Sequence, residues 1–223
     1  MPTSTVEDYL KCIYLESLRE PVELVSTGRI AAAMKVAPGT VTAMMKTLTE
    51  SGLVSYEPYA GVRLTEAGRR LAAHVLRRHR LVELFLVRIM GMDWSEVHEE
   101  AEVLEHAVSE RLIERIDEML GRPAVDPHGD PIPTAGGEVE EPELATLLNC
   151  AIGASMTVAR VTDQRSEFLQ LLERHDLMPG RSVIVEARDE LAETVLVRPG
   201  SGRPLQLGFR AASRIGVQEP RGV

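Results

Sequence analysis

Cysteine is scarce in this chain of 223 residues. Cys12 and Cys150 are too few and too isolated for a disulfide framework or a thiolate zinc site, so any metal would be held by His and carboxylate. Aromatic residues make up only 4%, which leaves Leu, Ile, Val, Ala and nine Met to build the core, a helix-leaning mix in the first half. No apolar run approaches the roughly eighteen residues of a membrane span. Met1-Pro2-Thr3-Ser4 lacks the basic segment and apolar stretch of a secretory signal, so a cytoplasmic location is expected. Also missing are a GxSxG turn, a Walker loop and a GxGxxG after a strand, the usual signs of hydrolase, nucleotide and dinucleotide chemistry.

What is present describes a soluble globular protein, 44% hydrophobic and 26% charged, of one large or two modest domains. Charge is unevenly placed. Eight Lys/Arg and eight Asp/Glu cancel in residues 1–70, so the whole net charge of −9 resides beyond them. All three lysines, Lys11, Lys35 and Lys46, fall in the neutral part, which is where a nucleic-acid face is expected.

Val6, Leu10, Ile13, Tyr14 and Leu18 recur at helical spacing, predicting an amphipathic helix that stops near Pro21. Ser26 or Thr27 can cap a short helix to Met34. Val36-Ala37-Pro38-Gly39 then breaks the chain before a second helix, Thr40 to Glu50. Leu53 to Glu57 and Val62 to Leu64, separated by Pro58-Tyr59-Ala60-Gly61, read as a hairpin. Helix, helix, tight turn, helix and hairpin make a winged helix-turn-helix. A helical period follows from Thr65 to Val87, and Ser95 can cap a second long helix reaching about Leu120. Pro123 to Pro133 is a Pro/Gly/Asp-rich loop, and Thr134 to Pro142 reads as a flexible acidic linker with a domain boundary. Beyond it, strand runs at Met156–Val161, Ser182–Ala187, Thr194–Val197 and Leu205–Leu207, with a helix over Ser166–His175, suggest a small barrel.

Four of the six His lie in the central helices, and the pairs His79 with Glu83, His98 with Glu102, and Glu102 with His106 share one-turn spacing. Glu105 extends the acidic strip. A single such pair is usually a solvated helix face, but the clustering raises a metal site to equal standing. Oxygen and imidazole donors suit Mn2+ or Fe2+, and Zn2+ or Co2+ also bind such sets. Thr40, Thr42 and Lys46 project from the first turns of the second helix of the turn, after Pro38-Gly39; with Arg63 of the hairpin they are the candidate DNA contacts. Cys12 and Trp94 read as packing residues.

Four stretches carry a family likeness: Glu7-Asp8-Tyr9-Leu10 with Ile13-Tyr14; Arg29-Ile30-Ala31 through Thr40-Val41-Thr42 to Gly52-Leu53-Val54; Arg78-His79-Arg80-Leu81 with Glu83; and Val97-His98 with Glu102, Glu105-His106. Gly129-Asp130-Pro131-Ile132-Pro133 adds a fifth. Together these resemble the DtxR/MntR family of metal-dependent transcriptional repressors over nearly the whole chain. The resemblance implies a mainly α protein with a small β part: a winged helix-turn-helix domain (1–74), a helical metal-binding and dimerisation domain (75–140) and an SH3-like, FeoA-like domain (141–223). It implies two metal sites. One takes His79, Glu83 and His98, with Gln164 and Glu167 as candidates to complete it. The other takes Asp8, Glu102, Glu105 and His106.

Asp8 and Glu102 stand where iron-sensing members carry Met and Cys, so the chain looks like the manganese sensors, with Mn2+ as cofactor and Fe2+ as the alternative. Lys11 replaces a Glu of the two-metal manganese sensors, which favours two separated sites. Ala43 and Asp130 also depart, from Gln and Asn, so neither operator preference nor an auxiliary anion contact beside Arg80 carries over. The implied protein is not an enzyme. Metal is a co-repressor that positions the winged helices of a homodimer on a palindromic double-stranded DNA operator. A helical His/Glu metalloenzyme is the alternative from another class.

Overall fold

The computed structural model describes residues 3–19 and 23–220, so the helix stop expected at Pro21 lies outside the described residues. The chain divides into two compact units, residues 1–79, 105–108 and 133–139 in one and the remainder in the other.

The first unit opens with α1 (Ser4–Arg19), α2 (Thr27–Met34) and α3 (Pro38–Glu50), followed by strands β1 (Val54–Glu57) and β2 (Gly61–Leu64). Ser26 caps α2 by accepting from the Arg29 N–H, satisfying one of the first-turn donors. Helix α3 begins two residues earlier than expected. Proline has no N–H to lose at the first helical position and its φ suits a helix, so Pro38 starts the helix rather than delaying it. The apolar positions Val41, Met45 and Leu48 of α3 are buried against Leu10 and Ile13 of α1, Ile30 of α2 and Val62 of the hairpin. Val25 pairs with Val62 through two backbone hydrogen bonds, adding a third edge to the wing. That approach requires glycine next door, since a Cβ on Gly61 would stand 2.7 Å from the Val25 carbonyl oxygen.

The long helix α4 (Glu66–Arg88) is opened by Thr65, whose Oγ1 accepts from the Gly68 N–H. The second long helix of the sequence reading is two helices, α5 (Val97–Leu104) and α6 (Glu110–Met119). Ser95 does not cap α5: its N–H donates to Asp93 Oδ1 and its buried Oγ has no hydrogen-bond partner. Ser109, unremarked in the sequence, caps α6 by accepting from Leu112. Residues 105–109 between them are not helical, so Glu105 and His106 do not continue a helical strip from His98 and Glu102.

The second unit also holds a six-stranded antiparallel sheet in the order β3-β8-β4-β5-β6-β7. Its strands are β3 (Ala145–Thr146), β4 (Ser155–Val161), β5 (Ser182–Asp189), β6 (Thr194–Pro199), β7 (Leu205–Gly208) and β8 (Ile215–Gln218). Helix α7 (Ser166–Arg174) follows β4, and the short α8 (Phe209–Ala212) precedes β8. Register shifts at Val158/Arg160 and Val185/Ala187 are bulges, which curl a sheet toward the SH3-like form expected. Val158, Val183, Val185, Val195 and Val217 pack with Leu169 and Leu172 of α7 and with Trp94. Strands β3 and β8 escaped the sequence reading because two residues, and Ile-Gly-Val, carry too little pattern. No helix among the described residues is long and apolar enough to cross a membrane.

Candidate metal centres and nucleic-acid face

In the first unit α1, α4 and the 105–108 turn bring charged side chains together. Positions 7, 8 and 11 of α1 supply Glu7, Asp8 and Lys11, one helical turn apart. His106 is the hub: its Nδ1 lies 2.8 Å from Glu7 Oε2, its Nε2 2.8 Å from Asp8 Oδ1 and 3.3 Å from Glu105 Oε1. Glu105, with 0% exposure, also meets Lys11 Nζ at 2.7 Å and His79 Nδ1 at 2.6 Å. Arg78 Nη2 holds Glu7 at 2.8 Å. Glu7 was no candidate from sequence, although an acidic residue in the first turn beside Asp8 was its available signal.

Burial opposes charge on His106, but the hydrogen bond its ring donates to Glu7 and the charges of Glu105 and Asp8 outweigh it and raise its pKa. Asp8 is raised by burial, against the pull of His106 and Lys11. Asp8, Glu105 and His106 each offer one donor atom, all within 4.8 Å of one another. Two carboxylates and an imidazole fit a hard or borderline divalent ion without further rearrangement of ligand type. Cys12 is no soft donor here, since burial pushes its thiol up to about 11.

In the second unit Glu83 of α4 is buried and its Oε1 lies 3.1 Å from His98 Nδ1 at the start of α5. His98 Nε2 is 3.7 Å from Glu102 Oε1, so Glu102 sits with His98 in this unit. His79 precedes Glu83 by one turn of the continuous α4. Gln164, expected beside this pair, instead donates to Asp130 Oδ2 at 2.8 Å. Glu167 is exposed on α7 and joins no potential ligand group among the described residues. A third acidic and imidazole group had no counterpart in the sequence reading: Glu83, Asp126 and His128, all buried. Asp126 Oδ1 accepts from the backbone N–H of His128 and Asp130, shaping the loop. Gly129 lets that loop close on the sheet, because a Cβ there would lie 2.0 Å from the Ala159 carbonyl oxygen and its φ is +86°. Beside it, Arg80 donates to the Pro131 carbonyl and stands 3.7 Å from Asp126 and 3.9 Å from Asp130. Carboxylates therefore surround Arg80 where an auxiliary anion contact would need a free cation.

On the first unit, Pro38, Gly39 and Thr40 are exposed at the N-terminus of α3, as is Lys46 two turns on. Thr42 is half-buried, its Oγ1 donating to the Pro38 carbonyl at 3.1 Å. Arg63 is exposed on β2 and pairs with Glu23 at 3.0 Å. Tyr59 at the hairpin tip is fully exposed in a left-handed conformation, φ +68°. Exposed polar groups on a helix of this length, beside a wing, are the elements that enter a major groove and flank it.

Comparison with known proteins agrees along the chain. Residues 1–62 match the iron dependent repressor N-terminal DNA binding domain, residues 65–134 the iron dependent repressor metal binding and dimerisation domain, and residues 145–219 the FeoA domain. The iron-dependent repressor IdeR of Mycobacterium tuberculosis is 32% identical over 207 residues, covering 89% of this chain and 86% of that protein. The regulator MntR of Lysinibacillus sphaericus is 37% identical over 120 residues, covering 54% of this chain and 84% of that protein. A manganese-dependent transcriptional repressor solved in complex with manganese superposes with a TM-score of 0.86 at 42% identity, covering 96% of this chain and all of the other. ScaR with bound Cd2+ gives a TM-score of 0.80 at 35% identity, covering 98% of this chain and all of that one. The chain belongs to the DtxR/MntR family of metal-dependent, DNA-binding transcriptional repressors.

Proposed function

We propose that this protein is a Mn2+-activated repressor of metal-homeostasis genes, acting in the cytoplasm as a homodimer on a palindromic operator. The observation that supports it most is the meeting of Asp8, on the first helix of the DNA-binding unit, with Glu105 and His106 of the turn that interrupts the central helices. These three residues hold the activating ion, with Glu102 as the fourth candidate. A divalent ion held there would supply positive charge for the carboxylates of Asp8 on α1 and Glu105 on the 105–108 turn to share.

The remaining work belongs to the chain. Glu7 is kept in place by Arg78, and His79 and Lys11 orient Glu105. His79, Glu83 and His98 hold a second ion, and Gln164 and Glu167 join them when Gln164 exchanges its Asp130 partner. Oxygen and imidazole donors without thiolate favour Mn2+ by ligand type, with Fe2+ the alternative that the IdeR relative represents. Apolar side chains left exposed in the second unit, among them Ile89, Met90, Val103 and Met119, supply area for a second copy to cover. Two copies related by a two-fold axis present two α3 helices to two half-sites of one operator. Activation is a population shift limited by the ion's preference for the closed arrangement.

Selection of genomic fragments by the purified protein, with Mn2+ and with EDTA, tests this reading. Enrichment of a palindrome with Mn2+ alone is expected. Equal enrichment with EDTA sinks it and returns attention to the metalloenzyme alternative.

Three further outcomes follow. Lys46→Ala is expected to weaken binding to all sequences alike and to lower the slope of log K against log salt by about one; a change confined to one base position would mean that Lys46 reads a base. Glu167→Ala should weaken only the ion at Glu83 and His98, and an unaltered titration removes Glu167 from that site.

The third concerns pH. Raised in the fold, the His106 pKa makes the imidazolium's contribution to apo stability complete below its unfolded pKa of about 6.5 and lost as pH rises through the folded value. Metal requires the unprotonated ring, so Mn2+ affinity should fall as pH drops below that raised value, by up to about tenfold per unit. Calorimetry in buffers of different ionisation enthalpy should detect a proton released per ion near neutral pH. Uptake of no proton difference would place His106 outside the site.

A further inference from the structure

His106 has two ring nitrogens, and only one of them faces the other members of the ligand group. Nε2 lies 2.8 Å from Asp8 Oδ1 and 3.3 Å from Glu105 Oε1, whereas Nδ1 lies 2.8 Å from Glu7 Oε2. The helix makes this double grip possible. Consecutive residues of α1 point about 100° apart, so Asp8 and Glu7 reach the two edges of one imidazole.

An ionised carboxylate can only accept, so the bond to Glu7 keeps a proton on Nδ1. Both oxygens of Glu7 are engaged, Oε2 by that N–H and Oε1 by Arg78 Nη2 at 2.8 Å. The second bond is charge-assisted and fixes the carboxylate at its far end. With the Glu7 and Arg78 side chains only 10% and 12% exposed, water competes little for either bond. Glu7 is accordingly no member of the group of potential ligands formed by Asp8, Glu105 and His106. It stands one step behind that group.

We propose that Glu7 is a positioning residue for the activating centre: by accepting from Nδ1 it fixes the orientation and the Nδ1–H tautomer of His106, leaving the Nε2 lone pair for the ion, while Arg78 holds Glu7 in place. The inference rests on the reading of Asp8, Glu105 and His106 as that centre. A carboxylate behind the ring also makes the imidazole a stronger donor, because it meets the positive charge that the ring acquires when Nε2 binds a cation. The tautomer matters because a proton on Nε2 would occupy the lone pair that the ion needs.

Glu7→Gln, in metal-stripped full-length protein, tests this with little change of shape. Glutamine offers one accepting end and one donating end. Arg78 takes the amide oxygen, which turns the NH2 toward Nδ1 and favours the opposite tautomer. Mn2+ affinity, by isothermal titration calorimetry, should therefore fall roughly 10–100-fold. An unchanged affinity in the folded variant overturns the inference, even if Tm is lower, since that pattern belongs to a residue that only supports the fold. The second readout is nuclear magnetic resonance of nitrogen-labelled histidine in the parent protein loaded with the spin-half isotope of Cd2+. It also decides the matter if Glu7→Gln does not fold. Cadmium coupling to His106 Nε2, with a proton retained on Nδ1, supports the inference. Coupling to Nδ1 overturns it. Coupling to neither nitrogen removes His106 from the centre, and the reading of the centre falls together with the inference.

Discussion

Replacing Asp8 by Met should leave the fold intact and shift the Mn2+ concentration needed for operator binding upward by roughly 100-fold. Met is a good helix former, and the Asp8 side chain is 34% exposed, so α1 loses neither its propensity nor its core face. What it loses is one of the donors that meet His106, leaving Glu105 and His106 as the pair with Glu7 held by Arg78. Because metal can move the DNA-binding equilibrium only by its differential affinity, weaker binding at this centre appears directly as weaker activation. Fluorescence anisotropy of labelled operator against Mn2+ measures the midpoint, and circular dichroism of the metal-free protein checks the fold. An unmoved midpoint in a folded variant removes Asp8 from the centre.

Lys11→Met should have two effects of opposite sign. Lys11 is 8% exposed and its ammonium is 2.7 Å from a fully buried Glu105, so removing it leaves a buried carboxylate with His79 and His106 as partners. Breaking such a pair costs about 3–5 kcal/mol in the metal-free protein. The same change removes a cation that competes for Glu105 Oε1, one of the oxygens facing His106, so the variant should bind Mn2+ more tightly. Excess metal should then restore much of the lost stability, since any ligand specific to the folded state stabilises it by mass action. Thermal melts with EDTA and over a series of Mn2+ concentrations measure both. Loss of stability without a steeper rise of Tm with Mn2+ would show that Lys11 supports the fold alone and does not compete at the centre.

The two substitutions draw on residues of unequal legibility. Asp8 stood out through its motif, and Lys11 as a departure from that motif, yet the Lys11 to Glu105 pair spans α1 and a turn far along the chain. Likewise His98, Glu102 and His106 recur every four residues, and this regular period read as one helix. The break at 105–109 follows from side chains the period does not weigh: Ser109 caps a new helix, and Glu105 is buried against Lys11 and His79. Asp126 and His128 were passed over for a related reason. A stretch rich in Pro, Gly and Asp has the composition of a surface loop, while its backbone is hydrogen-bonded to the sheet and the side chains of Asp126, His128 and Asp130 are buried.

By itself the sequence determined what depends on short-range pattern: the helices α1 to α4, the hairpin, four strands, a cap at Ser26 or Thr27, and the supply of imidazole and carboxylate without thiolate. Those follow from helical and strand periods, capping chemistry and donor type, all of which act within a few residues. Tertiary structure alone decided which donors meet. It sent Glu105 and His106 to Asp8, gave Gln164 to Asp130, and closed Asp126 and His128 over Glu83. The physical reason is that desolvation and charge pairing depend on distance in space, which a pattern acting within a few residues does not fix.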